Sequence, residues 1–176
     1  EAGIARVVIA MEDPNPLVSG RGCALLQQAG ITVQAGLLQA EARTLNAGFI
    51  SRMTRKKPLV RLKIAASLDG KTALENGQSQ WITSEASRAD GHAWRARACA
   101  VLTGIGTVLE DDPSLDVRLV DTPRQPHLVV IDSRLETPLD ARLWSPQRRI
   151  FIYGAQNDPV KQAALEAKGA QVILRP

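Results

Sequence analysis

The sequence predicts an α/β protein built on parallel strands. Short β-branched apolar runs alternate with segments whose apolar residues recur at helical spacing, and that alternation favours parallel pairing with helices packed on a sheet face. Helical segments end on glycine, at Gly30 and Gly169, which readily takes the left-handed conformation of a helix stop. Hydrophobic residues make up 44% of the 176 and charged residues 23%, which fits a packed core and excludes a disordered or fibrous chain.

Residues 6–11 form the first β-branched run, and Asp13-Pro14-Asn15-Pro16 must break it. A helix over 22–29 carries Leu25 and Leu26 and stops at Gly30; residues 31–34 read as a strand. Over 41–53, Leu45, Phe49, Ile50 and Met53 fall at helical spacing. The basic cluster Arg52, Arg55, Lys56 and Lys57 followed by Pro58 marks a domain boundary, giving domains 1–57 and 58–176. Beyond it, Leu62 and Ile64 alternate with Arg61, Lys63 and Ala65, so residues 59–67 are predicted to be a strand. Ser84 caps a helix running to about Ala98, with Glu85 in its first turn where the helix dipole favours acid. Residues 100–102 read as a small buried strand, 107–110 as a helical turn, and 127–131 and 149–153 as strands. A helix over 159–168 and a strand over 171–174 complete the series.

The longest apolar runs fall far short of the roughly 18 to 20 residues a membrane span needs. Two separated cysteines, Cys23 and Cys99, exclude a disulfide framework and point to a reducing cytoplasm. A net charge of +4 leans toward anionic partners, while an aromatic content of 3% leaves few platforms for stacking nucleobases. An anionic small molecule and RNA both remain open on these grounds. The chain starts at Glu1 without a methionine and stops directly after a strand, which reads as a piece of a longer protein.

A zinc deaminase needs His-x-Glu and Pro-Cys-x-x-Cys, and a serine hydrolase Gly-x-Ser-x-Gly; none occurs. His92 and His127 therefore read as surface residues and the cysteines as buried ones. Gly104-Ile105-Gly106 follows an apolar run, but Leu109 stands where a dinucleotide fingerprint needs its third glycine. A phosphate approach and a plain tight turn both remain readings of that pair. Asp111-Asp112-Pro113 reads as an exposed turn.

Taken together, residues 63–73 (Lys-Ile-Ala-Ala-Ser-Leu-Asp-Gly-Lys-Thr-Ala), 77–83 (Gly-Gln-Ser-Gln-Trp-Ile-Thr) and 107–113 (Thr-Val-Leu-Glu-Asp-Asp-Pro), with Leu115 and Arg118, closely resemble the reductase domain of the bifunctional riboflavin-biosynthesis deaminase/reductases. Ala2 to Val8, the Asp13-Pro14-Asn15-Pro16 loop, Gly20-Arg21-Gly22 and Leu45-Asn46-x-Gly48-Phe49 resemble the last third of that family's deaminase domain. The resemblance implies the tail of a cytidine-deaminase-like α/β/α domain followed by the front part of a dihydrofolate-reductase-like α/β domain. It implies a cytoplasmic parent that deaminates a diamino-pyrimidinone ribosylamino phosphate, then reduces the ribosylamino-uracil 5'-phosphate with NADPH to the ribityl form.

Residue by residue, the resemblance makes Lys63 catalytic, beside the reacting sugar. It assigns Ser79, Arg95, Leu115 and Arg118 to the substrate, the two arginines to its phosphate. Ala65, Trp81, Thr107, Asp111 and Ser133 would line the NADPH site. The family's zinc ligands and a C-terminal glycine-rich phosphate segment would lie outside these 176 residues, so the isolated chain is expected to be inactive and to hold no metal. The expected partners are a phosphorylated pyrimidine and further copies of the parent, with neither nucleic acid nor membrane. Two alternatives stand beside this reading: a non-catalytic basic module binding RNA through residues 52–57 and 95–97, and a reductase fused to a degenerate deaminase remnant.

Overall fold

A computed structural model describes residues 3–145 and 147–175; Glu1, Ala2 and Pro176, which enter the readings above, lie outside them. The chain divides into two compact units, Glu1–Leu62 and Lys63–Pro176. The fold is mixed α/β with parallel sheets.

In the first unit β1 (Arg6–Ile9) and β2 (Thr32–Ala35) pair in parallel, Arg6 beside Thr32 through Ile9 beside Ala35, connected by α1 (Arg21–Gln28). Gly30 stops α1 with φ +79°. The Asp-Pro-Asn-Pro break is two interlocked Asx turns: Asn15 N donates to Asp13 Oδ1 at 2.8 Å, and Leu17 N to Asn15 Oδ1 at 3.1 Å. The helix expected over 41–53 is divided into α2 (Gln39–Leu45), α3 (Ala47–Ile50) and a π turn over Ser51–Arg55. At the division Asn46 turns its amide back to the Ala42 carbonyl, 2.8 Å away, the competition that makes Asn a poor interior helix residue.

The second unit holds a four-stranded sheet in sequential order, β3 (Ala100–Gly104), β4 (His127–Ile131), β5 (Ile150–Gly154) and β6 (Ala170–Leu174), every pair parallel. Around it lie α4 (Glu85–Arg97), α5 (Ile105–Asp111) and α6 (Pro159–Ala167). Ser84 caps α4 by accepting from Ser87 N at 3.2 Å, and Asp158 caps α6 by accepting from Lys161 N at 3.0 Å, ahead of Pro159 in the first turn. The core packs Leu128 and Val130 of β4 and Ile150 and Ile152 of β5 with Val108, Leu135, Leu143 and Leu165. Alternate residues of these two strands are buried, the period of a pleated ribbon.

Two expectations are corrected. Residues 59–67 form no strand. The alternation is present in the side chains, but no ladder partner lies beside the segment among the described residues, so Val60, Leu62 and Ile64 stay 63 to 84% exposed. A strand exists only through a neighbour that takes its backbone hydrogen bonds, and among the described residues β3 pairs with β4 alone. For the same reason β3 is an open edge, not a buried strand, and Leu102 lies 67% exposed.

Gly154 ends β5 against two leucines: a β-carbon there would stand 2.8 Å from Leu135 Cδ2 and 3.1 Å from Leu174 Cδ2. Leu135 is itself buried and cannot swing aside. Gly154→Ala is therefore expected to destabilise the fold by about 1 to 3 kcal/mol through overpacking, read as a lower urea midpoint at unchanged slope.

Candidate functional site

Between α5 and β4 the chain crosses residues 114–118 without helix or strand, and side chains hold its backbone in place of a ladder. Arg148 donates to the carbonyls of Ser114 and of Leu115, the latter at 2.7 Å. Arg95, from the last turn of α4, donates to the Asp116 carbonyl. Gln125 takes both backbone groups of Val117, accepting from its N–H at 2.7 Å and donating to its carbonyl at 3.1 Å. His92 Nδ1 accepts from Arg118 N at 3.1 Å, which places the ring proton of a neutral imidazole on Nε2. Arg118 then folds back on its own loop, donating to Ser114 Oγ and pairing with Asp116. Arg95, Leu115 and Arg118, three of the residues assigned to substrate, thus meet at one loop. Arg95 lies just before β3, Gln125 just before β4 and Arg148 just before β5, so the cluster sits at the amino ends of the strands.

The electrostatics follow from three cations around one carboxylate. Burial lowers the His92 pKa, and the charges of Arg95 and Arg118 lower it further against the opposing pull of Asp116. Burial alone would raise the Asp116 pKa, but hydrogen bonds from Ser114 and Arg118 and the Arg118 charge outweigh it and hold Asp116 below the usual carboxylate range. Arg95 and Arg148 are both lowered, chiefly by burial, yet a guanidinium stays charged under these conditions. The loop therefore carries excess positive charge suited to an anion.

The other assigned residues are distributed differently. Lys63 lies on an irregular segment, not on a strand, and is exposed; its Cε passes Gly91 of α4, where a β-carbon would stand 4.0 Å from it. Gly91 and Arg95 are four apart and share a helix face, so Lys63 runs along the side of α4 that carries Arg95. Ala65 is half-buried on the same segment. Ser79 and Trp81 lie in the loops before α4, where Arg88 sits 4.4 Å from the centre of the Trp81 ring and leaves Trp81 70% exposed. Thr107 in the first turn of α5 and Ser133 just after β4 stand exposed at the carboxyl ends of two adjacent strands, a strand's length of about 16 Å from the arginine cluster. Asp111 closes α5. Gly104 and Gly106 carry the chain from β3 straight into α5, so the tight-turn reading fails; both leave open space where a β-carbon would be.

His92 is buried at 7% exposure and not a surface residue, because α4 turns it under the loop. Cys99, on the open β3 side, is exposed and Cys23 half-buried, which corrects the reading of both as buried. Among the described residues no three His, Cys, Asp or Glu side chains gather as metal ligands, and no helix is long and apolar enough to cross a membrane.

Sequence reasoning missed Arg148, Asp132, Gln125 and the bond made by His92. For two of them a signal exists. Arg148 stands in phase with buried Ile150 and Ile152, and Asp132 in phase with buried Leu128 and Val130. Each carries the buried row of its strand one step further as a polar residue. Asp132 is fully buried; its Oδ2 accepts from Thr137 N at 2.8 Å and Thr137 Oγ1 at 2.7 Å, closing the loop that presents Ser133, while Oδ1 has no partner among the described residues.

A model of the RibD C-terminal domain matches residues 58–174. The riboflavin biosynthesis protein RibD of Aquifex aeolicus is 44% identical over 98% of this chain and 49% of its own length, and that of Bacillus amyloliquefaciens 50% identical over 98% and 47%. Among solved structures, Acinetobacter baumannii RibD matches with a TM-score of 0.83 at 39% identity, over 98% of this chain and 48% of that one. A Thermotoga maritima diaminohydroxyphosphoribosylaminopyrimidine deaminase/5-amino-6-(5-phosphoribosylamino)uracil reductase matches with a TM-score of 0.80 at 34% identity, over 97% and 54%. The chain spans about half the length of the curated relatives it matches.

The buried neutral imidazole makes stability depend on pH. With its folded pKa held below the ordinary value of about 6.5, His92 takes a proton in the unfolded chain first, so stability falls as pH drops through that value and is level above it. His92→Asn keeps an acceptor for Arg118 N without the titration. Denaturant melts between pH 8 and pH 5 should show the decline in the wild type and a flatter profile in the variant; equal slopes would contradict it.

Proposed function

The chain belongs to the RibD C-terminal domain family, and on that premise we propose that it supplies part of the reductase site of a riboflavin-biosynthesis enzyme acting on a ribosylamino-uracil 5'-phosphate. The single observation that carries this reading is the convergence of Arg95, Leu115 and Arg118 on one loop with excess positive charge. Arg118 trades its exposed pairing with Asp116 for the phosphate, and Arg95, already aimed at the loop, adds a second fixed charge.

In this reading NADPH would take the other end of the sheet. Thr107 and Ser133 stand exposed beyond adjacent strands, and the open space at Gly104 and Gly106 lets an extended anion approach the backbone. When bound there, NADPH supplies a hydride to the sugar C1'. Thr107 and Ser133 would orient it, with Ala65, Trp81 and Asp111 along its length. Ser79 would join the substrate contacts. Lys63 would donate a hydrogen bond, and then a proton, to the ring oxygen as the C1'–O bond breaks, the hydride would replace that oxygen at C1', and the ribose would open to a ribityl chain still joined to its nitrogen.

In this reading residues 1–57 are the tail of a cytidine-deaminase-like domain and residues 58–176 the front part of a dihydrofolate-reductase-like domain. The deamination of the diamino-pyrimidinone precursor, with its zinc ligands and catalytic glutamate, would be the work of another part of the parent. The parent is cytoplasmic and assembles with copies of itself, and the 176 residues alone are inactive.

Steady-state kinetics of the full-length enzyme carrying this sequence test the reading. Lys63→Ala should lower turnover with the phosphorylated substrate by the equivalent of about 2 to 4 kcal/mol while the KM for NADPH changes little. An unchanged rate would remove Lys63 from the chemistry, and no NADPH oxidation by the unmutated enzyme would remove the function.

A further inference from the structure

We propose that Arg148 is a positioning residue for the substrate-binding loop, holding residues 114–118 in the shape that presents Leu115 and Arg118. The proposal rests on the reading that this loop faces a phosphorylated substrate. Arg148 is only 9% exposed, and no carboxylate lies within ion-pair distance of it among the described residues. Its terminal nitrogens are spent on backbone instead: one on the Leu115 carbonyl at 2.7 Å, the other on the carbonyls of Ser114 and, at 2.9 Å, of Leu143. Nε, still buried, makes no hydrogen bond among the described residues, and the two terminal nitrogens carry the three bonds.

Two consecutive carbonyls turned toward one guanidinium fix the peptide planes on both sides of Leu115. Leu115 pays for this with φ +52°, a left-handed conformation unfavourable to a residue bearing a β-carbon. The Leu143 contact ties the loop to the buried wall of the core, so the bent shape is referenced to the sheet. A planar fork can satisfy three acceptors at set angles, whereas an ammonium on a flexible stem supplies the charge without the angles. Arg149, the identical neighbour, is exposed and serves as the internal control.

The test is Arg148→Lys in the full-length enzyme carrying this sequence, beside Arg149→Lys and Arg118→Ala. Arg148→Lys should raise the KM for the phosphorylated substrate about tenfold, with kcat and the KM for NADPH within about twofold, because ground-state presentation is lost and not the chemistry. Amide exchange at Val117 and Arg118 should accelerate in the same variant, and Arg149→Lys should match the wild type. A folded Arg148→Lys enzyme with an unchanged substrate KM overturns the proposal. If Arg118→Ala raises the KM while Arg148→Lys does not, only the role of Arg148 falls; if neither changes it, the substrate reading of the loop falls with it. Should Arg148→Lys fail to fold, Arg148→Gln, which keeps a planar donor but reaches fewer acceptors, takes its place: a raised substrate KM supports the proposal, and a folded Arg148→Gln enzyme with an unchanged substrate KM overturns it.

Discussion

Five consecutive residues with no ladder partner, 114–118, have their backbone held by side chains from four places in the chain, and the candidate site depends on that constraint. A buried loop must find partners for its amides and carbonyls or lose the free energy of each unpaired group. Here Arg148, Arg95, Gln125 and His92 supply them, one or two backbone groups each. Because the holders stand just before β3, β4 and β5 or on α4, the loop inherits the rigidity of the sheet without belonging to it. The same contacts set the electrostatics, since two of the four groups that grip the loop are arginines, Arg118 on the loop adds a third, and the Asp116 charge opposes them.

The two ends of the parallel sheet carry different chemistry for a topological reason. In a sheet whose strands all run one way, every connection returns the chain from the carboxyl end to the amino end. Loops leaving the carboxyl ends place Thr107 and Ser133 together, and loops arriving at the amino ends place the arginines together. The polar residues that continue the buried rows of β4 and β5, Asp132 and Arg148, brace one loop at each end.

Residues 59–67 show the limit of pattern reading. The period-two alternation states which side chains want to leave water together, but a strand also needs a neighbour for its backbone, and that neighbour is not a property of the segment. Val60, Leu62 and Ile64 therefore stay exposed, and β3 keeps an open edge beside the exposed Leu102.

The sequence by itself determined the α/β class, the helix starts at Ser84 and Pro159 and the stops at Gly30 and Gly169, because capping and backbone freedom act over a few residues. The motifs also carried the family, since a string of short segments in fixed order is more specific than any one of them. Tertiary structure alone decided which carbonyls the Arg148 fork meets, that His92 turns under a loop twenty-six residues away, and that the expected strand at 59–67 has no partner among the described residues. Those outcomes depend on which distant backbone groups lack a hydrogen bond, and that is settled only when the chain has closed on itself.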